Sequence, residues 1–350
     1  MEKSVKDNNI RFSEVFSVVL ADLPPRSQEI VAKRFGIGET NPLTLQAIGD
    51  EYGITRERVR QIVQSGLKNV QNADENENLL EVKKVIIAHI EDNDGIISVD
   101  GIVSDLGDSG QDEGGAIRFF LESAKEVETV NSKKYQVDDN VIALSDFDID
   151  EWVKIHDLTK QVLDEKQKTY TSERLSEKIT DEHDDVDNKK LENYLFVSRK
   201  IGKNPFDKWG LYKWDEISPR GVREKALLIM GEKGEPMHFR EIAESIDEYG
   251  LGKKGKKSHP QTVHNELIRD DNFVLVGRGV YTLNNDDYVE GTVKDVIENV
   301  LKNSDEPLTA EEVIERVLEN RDVKPSTIKV NLGAVAKKMN QKYTLDTKAK

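Results

Sequence analysis

"LTLQAIGDEYGITRERVRQIVQSGLKNV", residues 43–70, reads as two helices joined by a tight turn. Ile48 and Tyr52 stand four apart on the first helix, one face of a 3.6-residue period. Gly53 permits the sharp turn, because glycine takes positive φ without steric cost. Thr55 is the expected N-cap, and Glu57 in the first turn complements the helix dipole. Val59, Ile62, Leu67 and Val70 then define a buried stripe, with Gly66 inside the helix. That leaves Arg56/Arg60 and Glu57/Gln61, two i,i+4 pairs, pointing outward near the N-terminal end. A recognition helix presents its N-terminal residues to base edges. Arg can pair bidentately with guanine, Gln with adenine, and Glu can accept from cytosine N4. Periodicity alone leaves a plainer alternative open, an exposed Arg/Glu face held by ion pairs.

The chain around this stretch carries 51 Lys+Arg against 67 Asp+Glu, a formal net charge of -16. The excess is local. Residues 1–70 carry 10 basic against 9 acidic residues, whereas residues 71–160 carry 8 against 22. Pieces of near-zero charge can therefore present basic faces although the whole is acidic. At 350 residues the chain exceeds one ordinary core, and 34% charged with 36% hydrophobic residues suits several small domains. There is no cysteine, so disulfides and thiolate metal sites are excluded. No run of ~18 apolar residues occurs that could span a membrane. The N-terminus lacks the apolar run of a signal peptide. The expectation is a cytoplasmic, nucleoid-associated protein with no membrane partner.

Four stretches align without gaps: "GIISVDGIVSDL" from Gly95, "KTYTSERLSEKI" from Lys168, "EPMHFREIAESI" from Glu235 and "EPLTAEEVIERV" from Glu306. Apolar positions recur at the same offsets: Ile97/Ile102/Leu106, Tyr170/Leu175/Ile179, Met237/Ile242/Ile246 and Leu308/Val313/Val317. The last two of each set lie on one face of a short helix, with Ser98, Thr171 and Thr309 as cap-like residues before it. Each block follows an amphipathic helix, precedes a second one and ends in β-prone text such as "FVLVGRGVYTL". Helix, short strand, helix, helix, hairpin is the order of a winged helix. A plain helical array is the alternative, and the recurring β-rich ends argue against it. The expected fold is mainly α with small β-wings: an N-terminal helix-turn-helix over residues 1–72, then four tandem winged-helix units over 78–145, 152–216, 218–285 and 289–346. "QNADENENLLE" and "LSDFDIDEW" read as acidic, turn-rich linkers.

"LPPRSQEIVAKRFGIGETNPLTLQAIGDEYGITRERVRQIVQSGLKNV", Leu23–Val70, resembles region 4 of bacterial σ70-type sigma factors, with "ITRERVRQI" its most specific part. The resemblance implies a helix that reads the −35 promoter element and a domain that docks on the β-flap of RNA polymerase core. It also implies that Arg56, Glu57, Arg60 and Gln61 contact bases and phosphates of double-stranded DNA. After Ile62 the chain departs from the pattern, with Gly66 and fewer basic residues than is usual in that family. Nothing downstream resembles an aromatic-rich region 2, so a complete sigma factor is not expected.

Residues 218–284 resemble the HARE-HTH domain through "HFREIAE", "HPQTVHNEL" and "FVLVGRGVYTL". That winged-helix module occurs in the δ subunit of Gram-positive RNA polymerase, in restriction endonucleases and in chromatin proteins, and the resemblance implies transcription or chromatin contact. Read from its residues, "GLGKKGKKSHPQTVHNEL" is the most basic stretch of the chain. Lys253, Lys254, Lys256 and Lys257 precede a helix whose core face is Val263 and Leu267 and whose outer face is Gln261, Thr262, Asn265 and Arg269. Lysines beside a helix N-terminus suit a clamp on the DNA backbone, and a loop kept basic for solubility is the alternative. Lys257 stands where a P-loop needs Ser or Thr, so nucleotide binding is rejected.

The acidic segment is repelled by DNA and suits a basic protein surface such as polymerase, or simply keeps the chain soluble. "DFDIDEWVKIHD" begins like a calcium loop, but the glycine at position six is missing and Phe147 and Ile149 suit a packed linker. Arg199, Lys200 and Lys203 precede aromatic strands and could form a basic wing; Trp209 and Trp214 suit a core better than base stacking. The six histidines form no H-E-x-x-H, and there is no nucleophile elbow. No enzyme, cofactor or metal is expected. The expected function is a non-enzymatic, DNA-binding transcription factor that contacts RNA polymerase. The alternative is a δ-like or anti-sigma-like accessory protein that reads no sequence.

Overall fold

The computed structural model describes residues 11–38, 41–72, 76–107, 110–180, 186–284, 293–304, 306–318, 324–339 and 341–345. Residues 73–75 of the first expected linker, and the expected boundaries at 285, 289 and 346, lie outside them. The chain is mostly helical with small antiparallel sheets. It divides into two compact bodies, one of residues up to 203 with 207–212, the other of 204–206 with 213 onward.

The first body opens with α1 (Phe12–Val19), α2 (Pro25–Phe35), α3 (Leu45–Tyr52) and α4 (Arg56–Asn72). Next come α5 (Glu77–Asp92), β1 (Ile96–Ser98), α6 (Val99–Leu106), α7 (Gln111–Ser123), β2 (Val127–Thr129), α8 (Ser132–Tyr135) and β3 (Val141–Leu144), with sheet order β1-β3-β2. The body ends with α9 (Ile149–Lys166), α10 (Ser172–Thr180), α11 (Asn188–Phe196) and the pair β4 (Ile201–Lys203) and β5 (Trp209–Leu211). The second body holds α12 (Val222–Lys233), β6 (Met237–His238), α13 (Phe239–Glu248), α14 (Pro260–Arg269), β7 (Phe273–Gly277) and β8 (Val280–Leu283), in sheet order β6-β8-β7. It also holds α15 (Val293–Lys302), β9 (Leu308–Thr309), α16 (Ala310–Leu318), α17 (Pro325–Val335), β10 (Ala336–Met339) and β11 (Lys342–Leu345), in order β10-β11-β9.

The aligned apolar residues sit where their spacing placed them. Ile97, Ile102, Tyr170, Leu175, Ile179, Met237, Ile242, Ile246, Leu308, Val313 and Val317 are buried; Leu106 is half-buried at the end of α6. The short strand ahead of the second helix pairs with the last strand of its block in β1–β3, β6–β8 and β9–β11, and Tyr170 makes the same pairing with Trp209 as a single bridge. Ser98 and Thr309 accept from the backbone as N-caps. His238, which carries no cap-like signature in the sequence, caps α13 through its ring nitrogen.

One apolar core runs from α1 through α7. Val15, Phe16, Ile30, Val31, Val59, Val63 and Leu67 join Val82, Ile86, Ile117 and Phe119 in it. Phe119 meets Phe16 and Phe35 edge-on, with ring centres 4.9 and 5.2 Å away. Gly115 lets α7 approach: a Cβ there would stand 2.5 Å from the carbonyl oxygen of Phe35. The buried Glu113 carboxylate accepts from the backbone amides of Phe12, at 2.8 Å, and Ser13, at 3.2 Å, and from the Ser13 hydroxyl. It thereby caps α1, whose own N-cap residue, Arg11, supplies no side-chain bond. Asp112 accepts from the amide of Gly38 at 2.8 Å. Two carboxylates of the acidic segment are thus turned onto backbone amides of the helix-turn-helix, a use that total charge does not disclose.

Candidate nucleic-acid interface

The turn between α3 and α4 is fixed from both sides. Thr44 caps α3 by accepting from Ala47, and Gly53 closes it in the left-handed region at φ 64°. Gly49 leaves room for the turn: a Cβ there would stand 2.7 Å from the carbonyl oxygen of Ile54. Thr55 caps α4, its Oγ1 accepting from the Arg58 amide at 3.1 Å. From α2, Arg26 donates to the carbonyl of Tyr52 at 2.6 Å, satisfying an orphan acceptor at the end of α3. Its guanidinium also lies 5.6 Å from the Tyr52 ring centre. Lys33 bonds Glu51 at 2.6 Å, and that hydrogen bond raises the pKa of its ammonium. These contacts hold α3 on α2 and so set the pitch of α4.

On α4 the buried stripe is Val59, Val63, Leu67 and Val70. Ile62 is half-buried, a correction to the spacing argument: Val63 lies four residues from both Val59 and Leu67, and so holds the centre of the stripe. Gly66 is where α4 crosses α2, with a Cβ position 3.1 Å from Val31. Arg56, Glu57, Arg60 and Gln61 are all exposed. The expected i,i+4 pairing is replaced by an i,i+3 fork, in which Arg60 donates to Glu57 through Nε at 2.9 Å and Nη2 at 2.7 Å. Those bonds hold the Glu57 carboxyl below its ordinary pKa. Arg58, which the i,i+4 argument passed over, is exposed beside them and donates to Gln61 Oε1 at 3.2 Å. The first turns of α4 therefore carry three arginines, an acceptor and an amide on an open face.

In the second body, Lys253, Lys254, Lys256 and Lys257 are exposed on a loop closed at its base by Asp247. Both carboxylate oxygens of Asp247 accept from the Ser258 amide, at 3.0 and 2.9 Å, and Oδ1 also accepts from its hydroxyl at 2.7 Å. These bonds lower the Asp247 pKa. Gly252 packs against the same carboxylate, and Gly250 and Gly255 take positive φ. The lysines thus stand on a shaped loop before α14. Val263 and Leu267 are buried, and Gln261, Thr262, Asn265 and Arg269 are exposed. Gln261 donates to Asn265 at 3.1 Å, and Arg269 pairs with Glu266 at 3.7 Å.

Two other clusters are accounted for by the fold. Arg199 pairs with Asp139 at 2.7 Å, and Lys203 with Glu192 and Asp207 at 3.1 Å each, so acidic neighbours compensate two of the three cations read as a basic wing. Trp209 is buried with its Nε1 donating to Ser172, and Trp214 is half-buried. His156 Nε2 lies 2.8 Å from Ser198 Oγ, with Asp157 3.4 Å from Nδ1, an arrangement like a hydrolytic triad. Both His156 and Ser198 are buried, and Ser198 Oγ already accepts from the amides of Lys200 and Ile201. The hydroxyl proton therefore goes to Nε2, and the serine acts as a structural latch rather than a nucleophile. Among the described residues no group of three or more His, Asp or Glu could hold a metal ion, and no helix is long and apolar enough to cross a membrane.

A braced helix-turn-helix with an open basic face is the form of a DNA-binding domain. Residues 19–72 match the model of the Sigma-70, region 4 family, and residues 221–285 match that of the HARE-HTH family, the restriction endonuclease HTH domain. The chain is similar to RNA polymerase sigma factor RpoS of Coxiella burnetii, 40% identical over 73 residues, which are 21% of this chain and 19% of that protein. It is similar to RNA polymerase sigma factor SigA of Clostridium acetobutylicum, 35% identical over 54 residues, 15% of this chain and 14% of the other. It is also similar to SigA of a Nostoc species, 34% identical over 80 residues, 23% and 20% of the two chains. The chain spans at most about a fifth of the length of these curated relatives.

Proposed function

We propose that the protein is a non-enzymatic transcription factor that reads a promoter-like element of duplex DNA through α4 and contacts RNA polymerase. The observation that carries this reading is the open first two turns of α4, where Arg56, Glu57, Arg58, Arg60 and Gln61 are exposed on a turn braced by Arg26, Gly49 and Thr55. The likeness to sigma factors supports a role tied to polymerase, with the β-flap as the docking point. The four helix–strand–helix–helix–hairpin blocks are read as winged helices at 78–145, 152–216, 218–285 and 289–346. In the third of them Lys253, Lys254, Lys256 and Lys257, with Gln261, Thr262, Asn265 and Arg269, form a backbone clamp. One observation favours the second reading, an accessory factor that docks without reading: Arg60 is already held by Glu57.

The test is selection from a randomised duplex library together with binding to RNA polymerase core, using the full chain and its Arg56→Ala/Arg60→Ala variant. An enriched motif that the variant fails to select supports the reader. Polymerase binding with no motif in either protein supports the accessory factor instead.

A further inference from the structure

A third open basic surface lies at the far end of the second body, in a block whose net charge conceals it. From Lys324 to Leu345 the sequence carries five lysines and no Asp or Glu. Lys342 lies close enough to Glu312 to lower the pKa of that carboxyl. The other four, Lys324, Lys329, Lys337 and Lys338, are exposed and form no ion pair among the described residues. They are strung along α17 and into β10. Lys324 is the N-cap residue, Lys329 lies on the second turn, and Lys337 and Lys338 follow the last turn directly.

Between the lysines the helix is neutral and narrow. Ser326, Thr327, Val330, Gly333 and Ala334 are exposed on it, with Val330 75% exposed and open space where a Gly333 side chain would stand. The spacing 326, 330, 333/334, 337 runs along one face. Ile328, Leu332 and Val335, on the opposite face, fill the local core. An 11-residue helix is about 16 Å long at 1.5 Å per residue, slightly more than the roughly 12 Å width of the major groove. No side chain caps the N-terminus of α17, so its first amides also point outward unoccupied by protein side chains.

The corresponding helices of the first body have other employment. α7 is packed on α1, α2 and α4. On α11, Lys190 pairs with Glu151, and Asn193 donates to Asp94. We infer that α17 and the start of β10 form an additional binding site for duplex DNA. Lys324 and Lys337/Lys338 neutralise phosphates on the two strands bordering a major groove, and the short side chains of Ser326, Thr327, Val330 and Ala334 let the helix approach the base edges. An exposed valine at its centre suits contact with thymine methyl groups. Anionic chemistry alone also fits single-stranded RNA or an acidic lipid surface. The rigid rod with cations at both ends and small residues between them favours the duplex.

The site is independent of base reading by α4, and its test is built to fail separately. The full chain and a Lys324→Ala/Lys329→Ala/Lys337→Ala/Lys338→Ala variant are titrated with a labelled duplex of random sequence across a salt series. Each lost phosphate contact removes roughly 0.9 from the slope of log K against log salt. The expected result is a slope reduced by about 3 and affinity at least about tenfold weaker near 0.15 M salt. The effect should recur when the same four changes are made on top of Arg56→Ala/Arg60→Ala. Replacement of all four by arginine should retain binding, and Val330→Asp alone should weaken it several-fold at an unchanged thermal midpoint. Unchanged duplex affinity and slope in both the alanine variant and Val330→Asp would overturn the site. So would a loss confined to single-stranded RNA or to phosphatidylserine vesicles.

Discussion

Glu57 and Arg60 show how a free-state contact bears on recognition. Two N–H groups of Arg60 are spent on Glu57, which leaves the Nη1 end of the guanidinium to face a ligand. Removing the carboxylate, in Glu57→Ala, is expected to raise affinity for random duplex a few-fold and to broaden the selected motif. Fluorescence anisotropy and library selection would read both. His156 makes a prediction of a different kind. Burial lowers its pKa below the 6.5 of an ordinary imidazole, so the folded chain holds it neutral while the unfolded chain protonates. Its contribution to stability is complete above pH 6.5 and is lost as the pH falls toward the lowered folded value. The thermal midpoint of the wild-type chain should therefore drop more steeply below pH 6.5 than that of His156→Gln. Parallel curves would refute the assignment. His156 was invisible as a latch in the sequence because Ser198 lies 42 residues away, whereas Thr55, Gly53 and the exposed face of α4 follow from local spacing alone.

Among the elements, α7 carries the contact that local sequence could not disclose. Its apolar residues predict a helix, but nothing within a window of residues says that it packs on α1, α2 and α4, or that Glu113 caps a helix 101 positions earlier. The acidic segment was therefore legible as charge and illegible as architecture. Gly115→Ala should destabilise the first body by about 1–3 kcal/mol, since the added methyl would press on the Phe35 carbonyl and Ile37. Glu113→Ala should cost a comparable ~1–3 kcal/mol by leaving buried amides of α1 unsatisfied. Urea unfolding followed by circular dichroism checks both, and midpoints identical to wild type would show that α7 is not held there. The aligned repeats fared better, because three apolar offsets per block are set by one short helix and its preceding strand. The exceptions are instructive: Val63 displaced Ile62 from the stripe of α4, and His238 took a capping position usually held by Ser, Thr or Asp.

Across the whole molecule, segregation of charge reconciles a net of -16 with the approach to a polyanion. Part of the acidic segment is consumed in holding the first body together, and exposed cations gather on α4, on the loop before α14 and along α17. Several modest surfaces on one chain gain from effective concentration, so no single one need bind tightly. Overall duplex affinity should accordingly fall steeply between 0.05 and 0.2 M salt, with phosphate contacts supplying the slope and α4 the sequence preference. The central claim is that α4 reads bases, and it is tested most directly by a specificity ratio at fixed salt. Affinity for the selected duplex is divided by affinity for a scrambled one, in the wild-type chain and in Arg56→Ala/Arg60→Ala. The account predicts a ratio of at least about ten that collapses toward one in the variant, as expected when bidentate base contacts worth roughly 1–3 kcal/mol each are removed. An equal ratio in both proteins would contradict it.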